Sequence, residues 1–226
     1  MAIAFVNSTG RRIPTAASTW SMAVPAVTAG GALIVCVGQQ SSTSGASTVT
    51  DDVGNVYTKV VKGLNGGAAP ASEMWYAANV TSCTRVHATM GASSSGSIGS
   101  VHFTGISTGS PLGPSGSSGG NSSSFSASAI TPASAGVVVQ YARFNGSLGS
   151  ISTTANFTSW VSTGLSTDAN HYGQYWIQGS AEATDGAFTG ASGRAYASVI
   201  AVFYDTNGGA APVIALPWSF CTMGVQ

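Results

Sequence analysis

The side chains that could carry acid–base, metal or nucleophilic chemistry are few: seven carboxylates, three histidines and three cysteines in 226 residues. The acids are Asp51, Asp52, Glu73, Asp168, Glu182, Asp185 and Asp205. Hydrolysis by paired acids needs two carboxyl groups held about 5–10 Å apart across a substrate. Asp51 and Asp52 are adjacent, and adjacent strand residues face opposite ways. Glu73 alone falls inside an expected strand, just before Met74-Trp75-Tyr76, and spacing assigns it no partner. The acids therefore read as solvated turn residues. No H-E-x-x-H, no C-x-x-C and no glycine-rich loop opening a helix occurs. Catalysis has no positive signal, and neither a resident metal nor a cofactor is expected.

Two histidines invite a register argument. Thr84–Met90 and Ile98–Ile106 read as strands joined by a Gly91–Ser97 hairpin loop. Setting Val86 opposite Phe103 places Ala88 opposite Val101 on an apolar face, and His87 opposite His102 on a polar one. Two histidines without a carboxylate or cysteine make a weak metal site, so an exposed polar face is expected. The run Asp51-Asp52-Val53-Gly54-Asn55 reads as a hairpin turn and not a calcium loop, because it lacks the alternating oxygen ligands and closing Glu of an EF-hand. The aromatics Trp75-Tyr76, Trp160 and Tyr172-Gly173-Gln174-Tyr175-Trp176 offer either a sugar-stacking surface or, the favoured reading, core between sheets.

The elements that must position these residues are strands. Short β-rich runs alternate with Gly, Ser, Asn and Pro, and no apolar stripe keeps a 3.6-residue period. Strands are expected near 2–7, 19–24, 32–39, 48–51, 56–61, 72–79, 84–90, 98–106, 122–129, 137–144, 158–162, 172–179 and 194–204. The fold class is all-β: a single sandwich over 1–205, jelly-roll-like, followed by an extended C-terminal arm over 206–226. Ser115–Ser124 (SGSSGGNSSS) reads as a long loop within one sandwich, the alternative being a linker between two small ones.

Composition narrows the class further. Only 6% of residues are charged, against about 25% in ordinary domains, and the net charge is zero. That excludes phosphate neutralisation by a basic patch, hence nucleic-acid binding of that kind, and polybasic attachment to membranes. With 43% hydrophobic residues the chain is not of the charged, disordered type. The N-terminus has no basic start or long apolar run, so no secretory signal is expected. The longest apolar stretch, Ala32–Val37, is far short of the ~20 residues that span a bilayer. Cys36, Cys83 and Cys221 form no disulfide framework, and Cys36 is expected to be a buried hydrophobe. A neutral surface rich in hydroxyls favours association, so a homo-oligomer is expected.

The segment Ala210–Gln226 (AAPVIALPWSFCTMGVQ) has two prolines and no charged side chain. Val213, Ile214, Leu216, Trp218 and Phe220 are its candidate partner-binding residues, in an arm able to dock on a neighbour or fold back on its own sandwich.

The series Gly31–Val37, Val49–Tyr57, Met74–Val80 and Phe103–Ile106 with Gly109-Ser110-Pro111-Leu112, closed by Ala195–Tyr204, resembles a β-sandwich module of tailed-bacteriophage virion proteins and some bacterial surface proteins. The resemblance implies a head-decoration or minor tail protein. Such a protein binds major capsid or tail proteins of its particle, sometimes binds a host glycan, and resides in the virion after assembly in the host cytoplasm. It carries over no catalytic residues. The expected function is a non-enzymatic structural protein of a phage particle, the alternative a carbohydrate-binding or adhesin module.

Overall fold

The computed structural model describes residues 2–40, 42–163 and 171–206. Its twelve strands are β1 (Ala4–Ala23), β2 (Ala32–Gln39), β3 (Ala46–Asp51), β4 (Thr58–Asn65), β5 (Ala68–Ala77), β6 (Arg85–Thr104), β7 (Leu112–Phe125), β8 (Gly136–Phe144), β9 (Ile151–Thr153), β10 (Thr158–Thr163), β11 (His171–Gln178) and β12 (Phe188–Tyr204). They form two antiparallel sheets packed as a sandwich. One runs β1-β6-β2-β5-β4 with β3 added against β6; the other runs β10-β11-β8-β12-β7 with β9 added against β12. Among the described residues no helix is long and apolar enough to cross a membrane.

The connectivity differs from a jelly roll, whose successive strands pass between sheets. Here β1–β6 make one sheet and β7–β12 the other. Each half closes its own long ladder, β1 on β6 and β12 on β7, so one chain crossing, between Thr104 and Leu112, joins them. The halves nevertheless share one apolar layer. Ile34, Cys36, Met74, Val101 and Phe103 from the first sheet meet Val137, Val139, Tyr141, Val199 and Phe203 from the second.

Each sheet also has a covered outer face. Leu33, Val35 and Val37 of β2 point away from the second sheet, into a cluster with Trp20, Met22, Val49, Val86 and Met90. These last residues come from the ends of β1 and β6 and from β3, which bend over the sheet's back. On the second sheet Ile200 and Val202 lie beneath Ile130 and Phe157. The result explains the continuous apolar runs Ala32–Val37 of β2 and Val137–Val139 of β8: both strands are buried on both faces.

Three expected boundaries change. Residues 2–7 and 19–24 belong to one strand, β1, with register shifts between Ile13 and Thr19 that accommodate Pro14 on the sheet's edge. Residues 84–90 and 98–106 are likewise one strand, β6, so the expected hairpin loop Gly91–Ser97 does not exist. Ser115–Ser124 is neither loop nor linker: it lies in β7, paired along its length with β12. Gly and Ser are weak strand formers, but tertiary pairing overrides propensity here. Small residues are also required, since a Cβ on Gly119 would stand 2.2 Å from the Leu64 carbonyl oxygen of β4.

Candidate functional site

Beside an uncharged buried network of Gln140, Gln174 and Ser198, three clusters of polar side chains hold charged or titratable groups. The first is Glu73 on β5, 1% exposed in the layer behind the first sheet. Its Oε2 accepts from the Ala46 amide at 2.9 Å and from Trp75 Nε1 at 3.3 Å; its Oε1 lies 3.2 Å from Lys59 Nζ and 4.0 Å from Lys62 Nζ. Lys62 pairs directly with Glu73 across β4 and β5. Lys59, three residues earlier, would face the other side of a regular strand. A bulge at Val60, between the pairs Lys59↔Trp75 and Val61↔Met74, returns it to the same face. There Lys59 Nζ also sits 4.7 Å above the Trp75 ring and donates to the Ala46 carbonyl. Glu73 thus fastens β3 and β4 to the back of β5, and its acceptor positions are occupied by donors.

The second place is the turn at Asp51. One carboxylate oxygen accepts the amides of Val53, Gly54 and Asn55 at 2.8–3.1 Å; the other accepts Asn55 Nδ2 and the Tyr57 hydroxyl. Burial works to raise the Asp51 pKa, but these hydrogen bonds outweigh it and hold the carboxyl below its ordinary range. Asp52 is likewise lowered, first by the Thr84 hydroxyl and then by the Thr84 and Arg85 amides. Burial, then the nearby Asp51 charge, pushes the Cys83 thiol up to about 12 and raises Tyr57 further. A cation needs free lone pairs, and donors already occupy those of Asp51. A turn stands where the sequence indicated one, but it is not a hairpin: β3 before it pairs with β6, and β4 after it pairs with β5. Among the described residues no cluster of three metal-ligating side chains occurs.

The third place lies between the sheets. Arg143 on β8 is 2% exposed and pairs in register with His171 on β11. Arg143 Nη2 donates to Gln40 Oε1 at 3.1 Å, while Nε and Nη1 have no hydrogen-bond partner among the described residues. Tyr141, bonded through its hydroxyl to Ser97 at 2.8 Å, packs 5.7 Å from the His171 ring and 6.1 Å from Trp160. Burial, then the Arg143 charge, drives the His171 pKa down to about 3; burial lowers Arg143 itself to about 10. Trp160 fits here because Gly173 faces it: a Cβ there would stand 2.3 Å from the indole.

The other expected sites resolve as follows. His87 and His102 are not side by side. They lie fifteen positions apart on one strand, His87 between Ser21 and Thr50 and His102 between Asn7 and Leu33. The alternating apolar pattern was real, but Val86 and Phe103 belong to different core layers. Trp75, Trp160 and Tyr172 are buried, and Tyr76, Tyr175 and Trp176 pack partly buried against the same cores, so these aromatics are core and not a flat sugar-stacking surface. Cys36 is fully buried, as expected. Val213, Ile214, Leu216, Trp218 and Phe220 lie outside the described residues. Sequence reasoning missed both the Glu73–lysine cluster and the Arg143–His171 pair. The signal for the first was the turn Asn65-Gly66-Gly67, which brings Lys62 opposite Glu73. The second had none, being set by strands distant in sequence. Two G-x-S-x-G strings, Gly105–Gly109 and Gly116–Gly120, also occur. They fall in the connection after β6 and inside β7, neither on the strand-to-helix turn that a nucleophile elbow requires.

No family model, curated protein or solved structure matches the chain.

Proposed function

We propose that this chain is a non-enzymatic structural protein of a bacteriophage particle, decorating the capsid or attached to the tail as a homo-oligomer and held by contacts with the major capsid or tail proteins. One observation carries the reading: the chemistry-bearing side chains of all three polar clusters face neighbouring strands and turns. Glu73 with Lys59 joins two layers of the first half, Arg143 reaches Gln40 across the sheets, and Asp51 and Asp52 fix a turn. A protein whose polar chemistry is spent on internal fastening, under a nearly uncharged exterior, suits a passive shell component whose copies do not repel one another. The resemblance of its strand and turn series to virion modules points the same way.

The test is a mass-spectrometric inventory of purified virions from a phage encoding this chain. Stoichiometric recovery with capsid or tail proteins supports the reading. Absence from the particle, together with specific signals on a glycan array, replaces it with the adhesin alternative.

A further inference from the structure

At one end of the sandwich the layer between the sheets is open. β10 follows β11 only as far as the pair Thr158↔Tyr175, whereas β11 continues against β8 to Gln178. Trp176–Gln178 therefore have a strand on one side only. Facing them is the start of β1, the outermost strand of its sheet. Between the two lies a shallow groove walled by Ile3, Ala135, Gly136, Ile177 and Asp205. Ile177 is 40% exposed and Phe5 37%, two of the few large apolar side chains that reach solvent. Phe5 stacks flat on Tyr175 with centroids 5.1 Å apart, and Tyr175 shares a face of β11 with Ile177, so the apolar lining is continuous from Ile177 to Phe5.

The chain itself leaves from the wall of this groove. Asp205 follows the last residue of β12, bridges to Ile106 and lines the groove. From there the sequence continues for twenty-one residues without a charged side chain, among them Val213, Ile214, Leu216, Trp218 and Phe220. The sheet order β12-β8-β11 sets the path from Asp205 past Gly136 to Ile177 at two strand spacings, about 10 Å. Three or four extended residues cover that span, and Gly208-Gly209 allows the reversal needed to enter it.

We propose that Pro212–Phe220 of the same molecule occupies this groove, with Ile214 and Leu216, which share a face of an extended segment, packed on Ile177 and Phe5. The open edge of β11 offers backbone groups to an extended segment, and Pro212 and Pro217 are compatible with such an outer position but not with a central strand. A short tether gives the segment an effective concentration of order millimolar at its own groove, which favours that groove over a neighbour's. The proposal is independent of the particle reading.

The experiment uses the full chain with a benzophenone amino acid at position 177. Irradiation is expected to cross-link it to peptides within 210–220. In an equal mixture of ¹⁴N and ¹⁵N copies every cross-linked pair should carry one isotope. Cross-links that miss this segment, or pairs of mixed isotope, overturn the proposal; the latter makes a second copy the occupant. Hydrogen exchange gives a second reading. Amides of 213–220 should exchange at least tenfold more slowly than free-peptide rates. Ile177→Asp should restore those rates while β8 and β12 stay protected, which shows the sandwich still folded. Free-peptide rates in the unsubstituted protein overturn the proposal.

Discussion

His171 should make the sandwich acid-labile well above the range in which carboxylates titrate. The imidazole is 1% exposed, beside the Arg143 guanidinium on the next strand and under the Tyr141 ring. Burial first, and the Arg143 charge second, take its pKa from 6.5 to about 3. The unfolded chain protonates this residue near its ordinary value, so between those two values the unfolded state binds more protons. The stability contributed by the neutral ring is whole above about pH 6.5 and drains away as pH falls toward 3. At pH 5 the linkage amounts to about 2 kcal/mol, and at pH 4 to about 3 kcal/mol. His171→Gln removes the titration while keeping a polar group of similar reach. Urea unfolding at pH 7 and pH 5 should show the unsubstituted protein losing about 2 kcal/mol more than the variant over that interval. His102 is also buried and lowered, but it is present in both proteins and cancels. Equal losses in both proteins, or an NMR titration of His171 in the folded state near pH 6.5, would refute the argument.

Three further outcomes follow from the same geometry. Glu73→Gln should cost about 1–2 kcal/mol in urea unfolding, because it weakens the charge-assisted hydrogen bonds from Lys59 and the Ala46 amide while the partly exposed lysine regains water. Gly173→Ala should lower stability by about 1–3 kcal/mol through overlap with Trp160, with a change in near-ultraviolet circular dichroism from the displaced indole. Asp51→Ala leaves the amides of Val53, Gly54 and Asn55 without their acceptor. It should cost about 1–3 kcal/mol, while millimolar calcium leaves the melting temperature of the unsubstituted protein unchanged; a rise on adding calcium would overturn the reading of this turn.

Local residue patterns made the fold class and several turns legible. The run Ala32–Val37 was legible as a strand because it is short, rich in β-branched residues and bounded by glycine, and both its faces are buried. Asp51–Asn55 announced its turn because the interactions that hold it lie within seven residues of one another. The aromatics were legible as core for the same reason that strands alternate: a large flat side chain in a two-sheet protein finds its area between layers.

What the sequence could not determine was where strands continue. Gly91–Ser97 has every mark of a hairpin loop, yet it runs straight on as β6, because β1 supplies a partner on one side and β2 takes over from β3 on the other. Ser115–Ser124 looks like a linker, yet β12 holds it as a strand and β4 comes so close that only small residues fit. The buried cation follows the same rule. Arg143 meets Gln40, 103 residues away in sequence, and lies beside His171 only because β8 and β11 share a sheet. Propensity and spacing act over a few residues and fix local geometry. Strand extension and charge burial are decided by partners that only the folded chain brings within reach.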